Sequence, residues 1–273
     1  MRNLLLIFLM SALLFSCGNG SSGKLVEPVK YRLEVVAEYP HSRTSYTQGL
    51  FFRDGQLYES TGQRGESRFG KMNLQTGELE SLVSLEDRYF GEGSCFFDGR
   101  LYYLTWRGFV ACTYDENTFA HKGNITCPRE GWGLTTDGKS LIMSDGSSSL
   151  WFLDAKLKTL RRISVKSKGK SVGWLNELEW IDGKIWANVY TTDKIVIINP
   201  ENGIVEGIVD CTGLLDESLR DNTTDVLNGI AWNPSDGKIY LTGKNWPRIF
   251  EVRIVPESYT RQVRMQNILS GGT

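Results

Sequence analysis

Histidine is nearly missing from this 273-residue chain: His41 and His121 are its only two. Histidine-built zinc sites need more ligands than that, and no Cys-x-x-Cys spacing stands in for them. A Ser-His-Asp triad would have to rest on one of the two. Net charge is only −1, and no Lys/Arg block forms a backbone-binding patch, which argues against nucleic acid as a partner. Long amphipathic helical patterns are also lacking; "GLLDESLRDN" near residue 213 has room for a short helix at most. The one long apolar run, Leu4 to Phe15, is too short to span a membrane as a helix.

That run reads instead as the core of a secretory signal, residues 1–16. Its ending, "LFSC", resembles a bacterial lipobox, in which Cys17 becomes the lipid-bearing first residue. Residues 17–29, with "GNGSSGK", read as a lipid-anchored flexible tether. Residues 30–256 read as one catalytic domain and 257–273 as a C-terminal tail. The expectation is an exported, periplasmic lipoprotein held at a membrane by its anchor, and a monomer. Cys95, Cys112, Cys127 and Cys211 remain beyond the signal; an oxidising compartment would let a pair bridge, with Cys112 and Cys127 nearest in sequence, but connectivity is not readable from spacing.

What is present is a repeat. Asp-Gly recurs at Asp54, Asp98, Asp137, Asp182 and Asp236, each time between short apolar runs such as "GLFFRDGQLYEST" and "ELEWIDGKIWANVY". Asp-Gly between alternating hydrophobic residues is a strong hairpin signal. A third run and a second turn follow most of the hairpins, as in "GKMNLQTGELESLV". Five units of about forty residues, each a four-stranded antiparallel meander, predict an all-β fold: a five-bladed β-propeller. The last unit is one strand short, and "YRLEVVAEYP" at residues 31–40 alternates like a strand. The N-terminal strand is therefore expected to complete the fifth blade and close the ring.

Aligning the units on Asp-Gly produces two columns. Six residues before each Asp, with small offsets in the third and fifth units, stand Gln48, Glu92, Trp132, Asn176 and Asn228; eight after stand Gly62, Trp106, Asp145, Tyr190 and Lys244. Both columns lie at the hairpin end away from the turn, so they converge on one mouth of the predicted channel. Aromatic walls with a few convergent polar groups make a ligand site. Asp145, in the serine-rich "SDGSS", is expected to cap backbone, and Trp151, Trp174, Trp180, Trp186 and Trp232 to pack in the core or between units.

The motifs "YTQGL", "YFGEG", "LYYLTW", "EGWGLT", "LNELEW", "IWANVY", "LNGIAWN" and "YLTGKNWP" resemble those of the plant-type glutaminyl cyclases, glutaminyl-peptide cyclotransferases that also occur in bacteria. The resemblance runs from about Tyr46 to Val252. It implies a five-bladed propeller that converts the N-terminal glutamine of peptides or proteins to pyroglutamate with release of ammonia, unrelated to the zinc-dependent animal enzymes. Carried over by motif, the acid/base carboxylate falls on Glu92, the lysine on Lys244, the asparagine on Asn176 and the glutamine on Gln48. Phe90, Trp106 and Trp132 fall on the aromatic walls. Tyr46 stands where a phenylalanine is usual and Tyr190 where a tryptophan is common, and both keep a ring in the substrate site.

The implied reaction is an intramolecular acyl transfer in which the substrate brings its own amine nucleophile, so no catalytic cofactor or metal is required; a structural ion on the propeller axis, held by backbone carbonyls, is compatible with this expectation. Burial among Phe90 and Trp106 would raise the pKa of Glu92 and Lys244 would lower it, which leaves the direction open. The competing class is a non-catalytic, lipid-anchored propeller that binds peptides or sugars.

Overall fold

The computed structural model describes residues 26–258. The signal segment, Cys17 and most of the C-terminal tail fall outside them. Strand β1 (Val29–Pro40) comes first. The first unit is β2 (Thr47–Arg53), β3 (Gln56–Thr61), β4 (Arg68–Met72) and β5 (Leu79–Ser84). The second is β6 (Gly91–Phe97), β7 (Arg100–Thr105), β8 (Val110–Asp115) and β9 (His121–Thr126). The third is β10 (Leu134–Thr136), β11 (Leu141–Ser144), β12 (Ser149–Leu153) and β13 (Thr159–Ser164). A small hairpin, β14 (Lys166–Ser167) with β15 (Lys170–Ser171), leads to β16 (Leu175–Ile181), β17 (Lys184–Val189), β18 (Lys194–Ile198) and β19 (Val205–Asp210). After a 3-10 turn at Glu217–Leu219 come β20 (Leu227–Asn233), β21 (Lys238–Gly243) and β22 (Arg248–Pro256).

The predicted ring of five separate four-stranded blades closed by the N-terminal strand is not what these strands form. Units one to three are four-stranded sheets, β14–β15 is a two-stranded one, and the rest is a single eight-stranded sheet ordered β16-β17-β18-β19-β1-β22-β21-β20. The cause is β1. Tyr31 to Pro40 pairs antiparallel with β22, while Val29 to Arg32 pairs parallel with Gly207 to Asp210 of β19. A twelve-residue strand has backbone donors and acceptors to spare on its second edge, and an unpaired edge is costly to leave open. One strand thus merges two units that the repeat treats as separate.

The Asp-Gly turns behave as their chemistry demands at three of five places. Asp54–Gly55, Asp98–Gly99 and Asp182–Gly183 all have positive φ at both residues, the two-residue hairpin turn that matches strand twist. At Gly138 and Gly237 only the glycine is left-handed, and the turns are longer. The first strand of each hairpin (β2, β6, β10, β16, β20) packs against the next, with β20 returning to β2. Apolar clusters fill the spaces between sheets, as where Tyr102 and Leu104 meet Leu141 and Met143.

Polar groups pin the inner strands. Glu177, fully buried, accepts the amides of Leu50 at 3.3 Å and Ile230 at 3.0 Å, so one carboxylate of β16 spans to β2 and β20. His41 is not part of a catalytic triad: its buried ring bridges Trp246 O at 2.8 Å and Glu59 at 3.1 Å. Burial disfavours its cationic form, but Glu59 and the Trp246 carbonyl more than offset that, so its pKa is raised. The four cysteines Cys95, Cys112, Cys127 and Cys211 are all free and buried; no pair among them bridges.

Inner strands approach closely at Gly93, whose amide donates to Trp132 O at 2.7 Å; a Cβ there would sit 2.6 Å from Leu134 N. Gly93→Ala should therefore destabilise the protein by about 1–3 kcal/mol as over-packing, read as a Tm lowered by several degrees in a thermal melt. A Tm equal to wild type would mean that this contact is soft.

Candidate active site

The four hairpins that begin with β2, β6, β16 and β20 share a defect. Their registers slip between Thr47 and Gly49, Gly91 and Ser94, Leu175 and Leu178, and Leu227 and Ile230. Inside these β-bulges stand the first-column residues Gln48, Glu92, Asn176 and Asn228, the last three followed there by Gly93, Glu177 and Gly229. A bulge re-aims a side chain out of the pleat. Beyond each bulge the ladder resumes once more: the amides of Gly62, Trp106, Tyr190 and Lys244 donate to the carbonyls of Tyr46, Phe90, Trp174 and Val226 at 2.8, 3.0, 2.8 and 2.9 Å. That pairing seats the second column beside the first. In the third unit Trp132 holds the equivalent place through its amide to Ser144 O at 3.0 Å.

All nine catalytic and substrate-binding residues expected from the sequence line one cavity of about 380 Å³: Tyr46, Gln48, Phe90, Glu92, Trp106, Trp132, Asn176, Tyr190 and Lys244. Three others join them, Arg107, Glu130 and Trp174. The wall is a closed circuit. Trp106 packs on Phe90 at 5.9 Å between centroids, and Phe90 lies edge-on to Tyr46 at 5.9 Å. The Lys244 ammonium lies over the rings of Tyr46 and Tyr190, 4.8 and 5.2 Å from their centroids. Tyr190 meets Trp132 edge-on at 5.6 Å. Glu130 closes the circuit by accepting from the indole of Trp106 at 2.9 Å and of Trp132 at 3.3 Å.

Within this circuit the polar groups are partly unspent. Lys244 makes no ion pair or side-chain hydrogen bond with any described residue; two ring faces hold its charge instead. The carboxylate of Glu92, 6% exposed, likewise has no hydrogen-bond partner among the described residues. Gln48 Oε1 accepts from Asn228 Nδ2 at 3.4 Å, which leaves its Nε2 to donate. Asn176 Oδ1 is buried without a partner among the described residues. Tyr46 donates to Asp225 at 2.7 Å, an anchor that a phenylalanine would lack.

The direction of the Glu92 pKa, open from sequence, is upward, to about 8. Burial dominates; Lys244 opposes it and Glu130 adds to it. Lys244 is lowered, again first by burial, with Glu92 and Asp225 pulling the other way. Arg107 holds Glu130 below the usual carboxylate range against its partial burial, with help from the two indoles. The cavity therefore carries one permanent anion on its rim and, inside, an acid whose proton is exchangeable near neutral pH.

The sequence matches the model of the glutamine cyclotransferase family over residues 8–254. It is 38% identical over 243 residues to a glutaminyl-peptide cyclotransferase of Arabidopsis thaliana, covering 86% of this chain and 75% of that protein. A crystal structure of Myxococcus xanthus glutaminyl cyclase superposes with a TM-score of 0.76 at 33% identity, over 84% of this chain and 99% of that one. The chain belongs to the glutamine cyclotransferase family.

Among the residues of this cyclotransferase that sequence reasoning misplaced, Trp174 matters most. It does not pack in the core; it stands at the cavity mouth. A signal existed: Tyr46 and Phe90 lie two residues before Gln48 and Glu92, and Trp174 lies two before Asn176, the strand period for one face. Glu130 obeys the same offset from Trp132. Of the other tryptophans, Trp186 is buried and Trp151, Trp180 and Trp232 pack against apolar clusters, as expected. Asp145 also does as expected, accepting the amide of Ser147 at 3.1 Å. No group of three or more His, Cys, Asp or Glu among the described residues is placed to hold a metal ion.

A raised carboxylate costs stability as pH rises. The unfolded chain loses the Glu92 proton near the ordinary value of 4.5, the native protein near 8, so native stability falls through that window and stays low above it. Glu92→Gln should melt together with wild type near pH 4 and several degrees higher at pH 9. Identical Tm values at pH 9 would show that Glu92 ionises without penalty.

Proposed function

We propose that this family member is a glutaminyl-peptide cyclotransferase whose proton carrier is Glu92 and whose chemistry needs no metal or cofactor. The observation that carries this reading is that Glu92 and Lys244, both buried and neither with an ion-pair or hydrogen-bond partner for its charged atoms among the described residues, face one aromatic cavity.

The α-amine of an N-terminal glutamine attacks the γ-carboxamide carbon of its own side chain. The new C–N bond closes the five-membered lactam, the old C–N bond breaks, and ammonia leaves. Folding both ends of one residue into a cavity of this size supplies the nucleophile at high effective concentration. A free α-ammonium has a pKa near 8; apolar walls and the Lys244 cation both favour its neutral form. Glu92 takes the proton that the attacking nitrogen sheds and returns it to the departing one, so the proton count is unchanged at the end. Such a relay contributes roughly 10²–10⁴-fold and works best with a pKa near the working pH. Lys244 and Gln48 Nε2 are the donors for the carbonyl oxygen as it becomes anionic; one such donor is worth about 3–4 kcal/mol. Asn176 Oδ1 is the acceptor that orients the α-amine.

Peptides and proteins with N-terminal glutamine are thus the substrates. Export and a lipid anchor at Cys17, in the periplasm, belong to the same proposal on the strength of the apolar leader and its "LFSC" ending, as does a monomeric state.

Incubation with a glutaminyl dipeptide should release ammonia at a rate unaffected by chelator, and Glu92→Gln should lower kcat by at least about a hundredfold. Binding without ammonia release would overturn the reading, and full activity in Glu92→Gln would overturn the role of the acid. The profile of kcat/KM against pH should rise through about 8 as Glu92 and the amine deprotonate, then fall below the ordinary lysine value of 10.5 as Lys244 loses its charge. Lys244→Arg, which stays charged, should keep the acid limb and lose the alkaline one.

A further inference from the structure

Trp174 takes no part in the cyclisation, yet the fold maintains it under strain. Its φ is +58°, a conformation that bulky residues rarely adopt, and its side chain is left 60% exposed. Two backbone hydrogen bonds hold it there: its amide donates to Gly146 O at 2.8 Å and its carbonyl accepts from Tyr190 N at 2.8 Å. The indole lies outside the aromatic circuit, with its centroid 6.3 Å from those of both Trp132 and Tyr190. An exposed ring alone calls for no explanation. A strained one at the mouth of a cavity points to something that covers it.

The rest of the mouth is different in kind. Arg107 pairs with Glu130 at 3.0 Å and lies over Trp106, 4.3 Å from the ring centroid. One side of the opening is thus a paired charge already satisfied, and the other is a bare aromatic face. A glutaminyl residue whose amine and carboxamide are engaged inside must send its own carbonyl, and every later residue, out through this opening.

We propose that Trp174 is the platform for the side chain of the residue that follows the glutamine, and that it makes the enzyme favour peptides with an aromatic or large apolar second residue. The inference rests on the cyclotransferase reading. An aromatic pair contributes about three- to tenfold beyond simple burial.

The test is a comparison of kcat/KM for glutaminyl-glycine amide and glutaminyl-phenylalanine amide. Wild type should prefer the phenylalanine peptide about three- to tenfold. Trp174→Ala should bring the ratio close to one, and Trp174→Phe should retain most of it. A ratio near one in wild type, or one that Trp174→Ala leaves unchanged, overturns the proposal; a loss of fold would lower both substrates together and spare the ratio. Calorimetric binding of the same two peptides to Glu92→Gln, with and without Trp174→Ala, reads the platform apart from turnover. If wild type released no ammonia, the catalytic reading would fail, and the binding ratio would still decide whether Trp174 discriminates.

Discussion

A one-residue slip in strand pairing, repeated around the molecule, is the constraint on which the site depends. In an unbroken ladder, Gln48, Glu92 and Asn176 would each stand perpendicular to its own sheet, where the faces are packed by the apolar clusters between units. The bulge turns each of them aside at the last rung before the strand ends. The rung that follows, in which the carbonyls of Tyr46, Phe90, Trp174 and Val226 accept from the opposing arm, then locks the geometry. A functional residue carried by a hairpin is held more firmly than one on a free loop. The cost of the irregularity is spread over several sheets rather than concentrated in one.

Electrostatics inside the cavity follow from how little water reaches it. An acid and a base placed in such surroundings both shift toward neutrality, Glu92 up and Lys244 down. Direct contact between them would have spent each on the other. Instead the ammonium rests on the faces of Tyr46 and Tyr190, which stabilise a cation without consuming a hydrogen bond, and both groups keep their donors and acceptors for a substrate. The two tyrosines serve the lysine as much as the wall. Glu130 is the counterweight: anionic, tied to two indoles and to Arg107, it fixes the far side of the circuit.

Much of this was legible in the chain because hairpin chemistry is local. Asp-Gly set the phase of each unit, and counting from it led to Gln48, Glu92, Asn176, Tyr190 and Lys244 with no knowledge of the pairing. The sheet layout was not legible, since nothing in "YRLEVVAEYP" says that its leading residues will also run parallel to β19. The bulges were hidden for a related reason: a slip is a property of two strands. Trp174 could have been found from the spacing that Tyr46 and Phe90 display, but tryptophan beside an apolar strand ordinarily means packing. The Glu92 pKa needed the degree of burial, which no list of neighbours supplies.

The double role of β1 also bears on how the chain is made. Its antiparallel partner, Arg248–Pro256, lies at the opposite end of the described sequence. The strands of the first three units pair with their immediate neighbours in sequence, so each of those sheets is made from one continuous stretch of chain. The eight-stranded sheet cannot be completed until the final strand has been translated. Until then the edge of β1 that β22 covers has no partner, and closing it joins the first described strand to the last.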